Sequence, residues 1–209
     1  MGSQESIRAR ACRVILTDRE IKIYIKRKLI IVDPEPEDIA YQSTAVDLRL
    51  DPTISVFTKP PTVSGVQQIT RIDPAHPDFK ADEAIRVLTK NENINSNDGY
   101  PLDPDILILG WTKEFLDLRQ SRLAARVEGK SSLARLGLSI HLTAPTIHAG
   151  FQGRIRLEII NHGHHPIIIR PDMRICQLIF ETTLGTPDKD YEGQFVGQLP
   201  EPPAATSAP

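Results

Sequence analysis

Residues 129–161 read GKSSLARLGLSIHLTAPTIHAGFQGRIRLEIIN, and the end of this stretch decides the fold. Here Arg154, Arg156 and Glu158 alternate with three aliphatic residues. A period of two places alternate side chains on opposite faces of a β-strand. The stretch therefore predicts a strand with one face in a core. Its other face carries a carboxylate beside two guanidinium groups. Placing these charged groups inside a domain is energetically unfavourable, so the arrangement points to a functional role.

The composition excludes several classes of protein. The chain has 209 residues, is 40% hydrophobic and carries a formal net charge of −2, as expected of a soluble globular protein. No basic excess marks a nucleic-acid surface, and no apolar run is long enough to cross a membrane. The N-terminus lacks the apolar region of a signal peptide. We therefore expect a cytoplasmic protein with neither nucleic acid nor membrane as a partner.

The predicted organisation is one domain with flexible ends. Residues 1–13 are polar and charged and form an expected flexible leader, and residues 200–209 form an expected disordered tail. The domain is predicted to span residues 14–199. Within it, residues 58–100 are rich in Pro, Asn, Asp and Ser and are interpreted as a variable insertion. Residues 186–199 are interpreted as a C-terminal arm.

Short elements separated by prolines and glycines favour a β-rich fold. Thr17 to Glu20 reads as a capping box, followed by apolar residues at helical spacing, which predicts a helix over 18–29. The insertion is expected to hold one or two short strands, and residues 116–127 fit either a helix or a strand. Further strands, the first of them half-buried, are predicted at residues 45–50, 54–57, 106–111, 167–169 and 175–180. The chain is thus predicted to be a mostly-β barrel or sandwich with one early helix.

The turn Gly129-Lys130-Ser131-Ser132 invites comparison with a P-loop, but the comparison fails. A P-loop needs a glycine where this chain has Ala124, and it lies between a strand and a helix that are not predicted here. A turn that offers a lysine, two hydroxyls and backbone donors can still hold phosphate oxygens. The alternative is an ordinary surface turn.

Glu158 is the strongest candidate for a catalytic residue. One reading is an ion pair with Arg154 or Arg156 on an exposed strand face. The other is a general base, whose pKa neighbouring guanidiniums would lower and burial would raise. Metal chemistry has weaker support, since His162, His164 and His165 lie in a predicted turn and the His-x-Glu and Pro-Cys-x-x-Cys signature of zinc deaminases is absent from the sequence. Cys176 lies in an apolar run and is expected to be a buried thiol.

Several stretches together resemble one family. GKSSLARLGL, HLTA and AGFQGRIRLE, with LTDREI, TAVDLRL, ICQLIFE and YEGQ elsewhere, are similar to the dCTP deaminase branch of the trimeric dUTPase superfamily. The resemblance runs from about residue 14 to 199 and covers residues 58–100 poorly. It implies a distorted antiparallel β-barrel, dUTPase-like, with a short N-terminal helix, assembled as a homotrimer with active sites shared between subunits.

The resemblance also implies an activity. Members hydrolyse dCTP to dUTP and ammonia without zinc, which supplies dUTP for thymidylate synthesis, and some also cleave the triphosphate to give dUMP. By this resemblance Glu158 activates the attacking water, Ser131 and the Ala144 carbonyl hold it, and Arg135 fixes the group. Mg²⁺ would bind through the substrate triphosphate, with no metal site on the protein. The implied substrate-binding residues are Lys130, Ser131, Ser132, Leu133, Ala134, Arg135, His148, Arg156, Leu157, Glu158, Tyr191 and Gln194.

The chain departs from the family pattern around sugar and phosphate recognition. Thr146 replaces an arginine, His148 replaces an aspartate that binds the deoxyribose 3′-hydroxyl, and Asp190 replaces a lysine. An imidazole is a poorer anionic base at neutral pH, which counts against triphosphate cleavage. The alternatives are a bifunctional deaminase–diphosphatase or plain dUTPase, and a non-catalytic relative that binds dCTP or dTTP.

Overall fold

The computed structural model describes residues 15–64, 66–68, 71–185, 187–189, 191 and 197–201. The predicted leader and nearly all of the predicted tail lie outside these residues. Helical segments in the described part are α1 (Asp18–Lys26), α2 (Ala81–Leu88), α3 (Ser131–Ala134) and a 3₁₀ turn at Asp38–Ala40.

Short β-strands make up most of the regular structure. In chain order they are β1 (Ile31–Asp33), β2 (Tyr41–Gln42), β3 (Ala45–Arg49), β4 (Thr53–Phe57), β5 (Thr62–Val63), β6 (Val66–Gln67), β7 (Thr89–Asn93), β8 (Tyr100–Leu102), β9 (Leu107–Asp117), β10 (Leu123–Gly129), β11 (Leu138–Ser139), β12 (Thr146–Ile147), β13 (Gln152–Asn161), β14 (Ile167–Ile169) and β15 (Arg174–Thr182). The predicted strands at 54–57, 106–111, 167–169 and 175–180 all coincide with observed ones.

The described strands form two main antiparallel sheets. The first has the order β11-β13-β9-β4-β7, with β1 also pairing β9, and the second has the order β12-β10-β15-β3-β2. One continuous hydrophobic cluster draws its side chains from both sheets and from α1, including Ile21, Leu48, Ile54, Ile108, Leu178 and Phe180. The predicted mostly-β, distorted antiparallel fold with a short N-terminal helix is confirmed.

Strand β13 follows the predicted alternation throughout its length. Ile155, Leu157 and Ile159 are at most 3% exposed and point into the core. Arg154, Arg156 and Glu158 are half-buried on the opposite face. The strand pairs with β9, so that Arg156 lies opposite Trp111 and Glu158 opposite Leu109. A register shift between Arg154 and Arg156 marks an irregularity in this ladder.

Helix α1 begins at Asp18 as predicted, but its C-terminal end and its cap contacts differ from the prediction. It ends at Lys26 instead of Leu29, because Lys28 adopts a left-handed conformation with φ 56° and the chain turns. The predicted capping box was wrong in detail: the Thr17 hydroxyl donates to the Glu20 carboxylate, and no side-chain hydrogen bond to the backbone caps the helix. The apolar face is as predicted, with Ile21 and Ile25 buried.

The insertion contains more structure than the sequence pattern indicates. Besides the short β5–β6 ribbon it holds α2, a helix that was not predicted, and β7, which pairs with β4 and extends the first sheet. The ambiguous stretch 116–127 is the end of β9, a turn and most of β10. The polar face predicted for β3 is wrong, because Asp47 is only 3% exposed and pairs with Lys130.

Gly137 provides a test of the connection between α3 and β11. Its φ is +95°, and a Cβ there would lie 2.4 Å from the backbone nitrogen of Gly163. We expect Gly137→Ala to lower the free energy of unfolding by about 1–3 kcal/mol, through backbone strain and this clash. Thermal unfolding measures it. Gly129→Ala is the matched control, since its methyl group would meet only Ile140 Cγ1 at 3.8 Å. Equal melting temperatures for the two variants would contradict the close approach.

Candidate active site

A cleft of about 1130 Å³ opens beside the polar face of β13. Strands β4, β7, β9 and β13 contribute to its lining, together with α2, the loop between β11 and β13, Tyr191 and residues 198–201. Much of the lining is aliphatic or aromatic, as in most small-molecule sites, with a few charged groups.

Five of the twelve residues predicted to bind substrate line this cleft, together with Ala144, a further predicted catalytic residue. Glu158, Arg156 and Leu157 come from β13, and Ala144 and His148 from the loop that contains β12. Tyr191 comes from the predicted C-terminal arm. The loop that contains β12 is fixed to β10, since Val127 N–H donates to the Pro145 carbonyl at 2.9 Å and β12 pairs with β10.

The remaining predicted residues lie apart from the cleft. Lys130 directly precedes α3, and Ser131, Ser132, Leu133, Ala134 and Arg135 form or directly follow it; none of the six lines the cleft of its own chain. Gln194 lies outside the described residues, as does Asp190. The side chains of Ser131, Ser132 and Arg135 are exposed and form no hydrogen bond within the described part of the chain. This surface therefore has donors that no described residue uses.

Lys130 has a partner that the sequence did not suggest. Its ammonium group forms an ion pair with the Asp47 carboxylate, whose side chain is only 1% exposed. Gln42 Nε2 lies 3.4 Å from the same carboxylate oxygen, and the other oxygen is buried with no hydrogen-bond partner among the described residues. Lys130 therefore neutralises a buried carboxylate within this chain.

Glu158 forms no ion pair with Arg154 or Arg156, its neighbours on the strand. Arg154 Nη1 instead contacts Asp51 Oδ2 at 2.5 Å, and Arg156 Nη2 donates to Ser55 Oγ at 2.7 Å. Across the described residues, no cation lies within 4.0 Å of the Glu158 carboxylate. The ion-pair reading of Glu158 is therefore not what the structure contains. A half-buried carboxylate in a cleft, without a fixed partner, is able to accept a proton from bound water.

Trp111 and Ser55 were not singled out from the sequence, yet both line the cleft beside Arg156. The Arg156 guanidinium carbon lies 4.3 Å from the Trp111 ring centroid. Burial lowers the pKa of Arg156, and the nearby carboxylates of Asp82, Glu201 and Glu158 oppose that shift. Only the pairing of β13, β9 and β4 brings these side chains together, and no local pattern reveals that register.

Aromatic contacts join the loop to the predicted arm. The Tyr191 ring lies 5.5 Å from the His148 imidazole and 6.0 Å from the Phe151 ring, measured between centroids. Further along, the Arg154 N–H donates to the Gln198 carbonyl at 3.0 Å, and Gln198 Nε2 donates to the Arg154 carbonyl at 2.9 Å. Residues near the C-terminus are thus held at the rim of the cleft.

The other candidates from the sequence have no place in this site. Cys176 is fully buried, and burial raises the pKa of its thiol. His162, His164 and His165 do not line the cleft, and in the described ranges no group of three or more His, Cys, Asp or Glu side chains could hold a metal ion. None of the described helices is both long and apolar enough to span a membrane.

Comparison with known proteins identifies a family for this chain. A family model described as dCTP deaminase-like matches residues 15–183. A "dCTP deaminase, dUMP-forming" from Methanobrevibacter smithii is 36% identical over 168 residues, which are 80% of each chain. A "dCTP deaminase" from Rhodospirillum rubrum is 36% identical over 176 residues, 84% of this chain and 86% of the relative.

A solved structure shares the fold. The 2′-deoxycytidine 5′-triphosphate deaminase from Agrobacterium tumefaciens matches with a TM-score of 0.61 at 20% identity. The match covers 82% of this chain and 49% of that chain, so this chain spans about half of its length. The family model covers most of the residues, and the relatives align over most of both chains. The chain belongs to the dCTP deaminase-like family.

Proposed function

We propose that this protein hydrolyses the exocyclic amine of dCTP to give dUTP and ammonia. The observation that carries the proposal is Glu158, a half-buried carboxylate without an ion-pair partner among the described residues, in a cleft that also contains Ala144 and His148. Membership in the dCTP deaminase-like family supplies the substrate class. A role in supplying dUTP for thymidylate synthesis, in the cytosol, is part of the same proposal.

The chemistry follows from a base that accepts and returns a proton twice. Glu158 takes a proton from a water molecule as the water oxygen attacks C4 of the cytosine ring, and passes it to ring N3, where it stays. Glu158 then takes the proton of the new C4 hydroxyl and passes it to the amine, so that the C4–N bond breaks and ammonia leaves as the C4 carbonyl forms. General acid–base catalysis of this kind contributes roughly a hundred- to ten-thousandfold in rate. Positioning of the water provides the remaining activation, since we assign no zinc to the site.

The water requires more groups than one chain brings to the cleft. The Ala144 carbonyl lies in the cleft, whereas Ser131 and Arg135 lie on α3 or directly after it, away from the cleft of the same chain. We propose that a second copy supplies Ser131 and Arg135, so that the enzyme is a homotrimer with shared active sites. The side chains of Ser131 and Arg135 are exposed and have no partner among the described residues, which supports this arrangement.

The triphosphate has its own set of candidate ligands. Lys130, Ser132 and the amides of Leu133 and Ala134 would take phosphate oxygens, and Mg²⁺ bound by the substrate would shield the remaining charge. Tyr191 and Gln194 would belong to an arm that closes over the nucleotide. The contacts of Tyr191 with His148 and Phe151 support a position of this arm at the rim of the cleft.

Glu158 gives the most direct test. We expect Glu158→Gln to reduce ammonia release at least a hundredfold with dCTP, because an amide cannot accept the proton, while nucleotide binding is largely retained. Glu35→Gln, at an exposed position outside the cleft, is the matched control. Turnover by Glu158→Gln close to that of the control would remove Glu158 from its role.

The products of the wild-type reaction decide between the two enzyme activities. Relatives named for dCTP deamination and for dUMP formation are equally similar to this chain, at 36% identity. We expect dUTP to accumulate from dCTP and Mg²⁺, because His148 is a poor substitute for an anionic group that orients water at the triphosphate. Chromatography of the products checks this. Formation of dUMP and pyrophosphate would show that His148 supports the second reaction.

Shared sites predict complementation between two inactive variants. Subunits that carry Glu158→Gln and subunits that carry Arg135→Met would each form inactive homotrimers. Unfolding and refolding them together would create some interfaces with both residues intact, and deaminase activity should return. Each variant refolded alone is the control. No recovery, in mixtures shown by mass to contain hybrid trimers, would place both residues in one chain's site.

The Lys130–Asp47 pair predicts an effect on stability. We expect Lys130→Met to lower the free energy of unfolding by roughly 1–3 kcal/mol, because it leaves a buried carboxylate without its partner. Adding Asp47→Asn should restore part of that loss, as measured by urea unfolding. Unchanged stability in Lys130→Met would contradict the pair and leave Lys130 a phosphate ligand only.

A further inference from the structure

The guanidinium of Arg156 is one of the charged groups of the cleft to which the proposed mechanism assigns no role. The family resemblance implies that Arg156 binds substrate, and its side chain borders the cleft on the same strand face as Glu158. The residue two positions earlier, Arg154, faces the same side and has its charge neutralised by Asp51. Two arginines of one strand therefore have different environments.

Two neighbouring strands hold the Arg156 side chain in place. Its guanidinium carbon lies 4.3 Å from the centroid of the Trp111 ring on β9, within the range of a cation–π contact. Its Nη2 donates to Ser55 Oγ on β4 at 2.7 Å. The Ser55 hydroxyl in turn donates to Asn91 Oδ1 on β7 at 2.6 Å, so its proton is committed and its oxygen is an acceptor for Arg156. The Trp111 ring provides the surface against which the guanidinium lies, and the hydrogen bond to Ser55 fixes the position of Nη2.

These contacts do not satisfy the group. Nε is buried with no hydrogen-bond partner in the described part of the chain, and no described carboxylate lies within 4.0 Å of the guanidinium. Asp82 on α2, Glu201 near the C-terminus and Glu158 lie near enough to favour the charge, yet burial outweighs them and lowers the pKa of Arg156. A partly desolvated guanidinium without an anion or a full set of acceptors is unfavourable.

Nη1 is the part of the fork that remains available. No hydrogen bond to it is present among the described residues, and unlike Nε it is not enclosed by protein atoms. Stacking on Trp111 leaves the in-plane N–H groups of a guanidinium free for other acceptors. The free protein thus presents a pre-positioned donor inside a cleft of about 1130 Å³.

We propose that the Arg156 side chain binds an acceptor oxygen of the nucleotide in this cleft, with Trp111 and Ser55 holding it for that contact. The inference rests on the proposed deaminase function and deepens it, because it makes Arg156 a specificity-determining side chain. The oxygen belongs either to the pyrimidine ring carbonyl or to a phosphate. Both accept hydrogen bonds from a guanidinium, and a bound oxygen would satisfy the donor that the free protein leaves open.

The test measures binding with catalysis switched off. In the full-length Glu158→Gln protein, dissociation constants for dCTP, dCMP and deoxycytidine are compared by calorimetry before and after Arg156→Met. We expect binding of dCTP to weaken roughly 10- to 100-fold, as for the loss of a hydrogen bond to a charged group. The same factor for all three ligands would assign the ring carbonyl. A factor that grows with the number of phosphates would assign a phosphate oxygen.

Two further variants separate this contact from net charge and from folding. Arg122→Met removes one positive charge from an exposed turn outside the cleft and should leave all three dissociation constants unchanged. Arg156→Lys keeps the charge but loses the planar fork, and should bind dCTP clearly more weakly than the Glu158→Gln parent. Melting temperatures of all variants show whether the fold is retained.

The outcomes that overturn the inference differ from those that overturn the proposed function. Binding by Arg156→Met within twofold of the parent, or full recovery by Arg156→Lys, would refute the contact while leaving the deaminase intact. A wild-type protein that neither binds dCTP nor releases ammonia from it would refute the deaminase itself, and the contact with it.

Discussion

The antiparallel pairing of β13 with β9 is the constraint on which the cleft depends. It buries Ile155, Leu157 and Ile159 in the core and so leaves the intervening polar side chains on the other face. A shift of one residue in this register would reverse both faces, which a buried apolar face prevents. The position of Glu158 in the cleft is therefore a consequence of hydrophobic packing on the opposite side of the same strand.

Charge compensation around this strand is selective. Arg154 is neutralised by buried Asp51 and Lys130 neutralises buried Asp47, which are structural uses of charge. Glu158 has no such partner in the described residues, and Arg156 is held by an aromatic ring and a hydroxyl instead of a carboxylate. Groups left uncompensated in a cleft, while their neighbours are paired, are those expected to meet a ligand.

Local patterns in the sequence were sufficient to predict several of these elements. The alternation over β13, the apolar run of β15 and the apolar face of α1 were each readable because a period of two or 3.6 reports burial directly. Helix α2 was missed although Ala81, Ala84, Ile85 and Leu88 stand at helical spacing and are half-buried. The burial of Asp47 was not readable, because it depends on Lys130, 83 residues away.

The separation of Ser131 and Arg135 from Glu158 was likewise not readable from the local sequence pattern. Sequence places Ser131, Arg135 and Glu158 within one motif-rich stretch, but only Glu158 of the three lines the cleft of the chain. The cleft of one chain contains Glu158 but not Ser131, whereas Ser131 is exposed on α3. The proposed second copy of the chain would bring the two residues together.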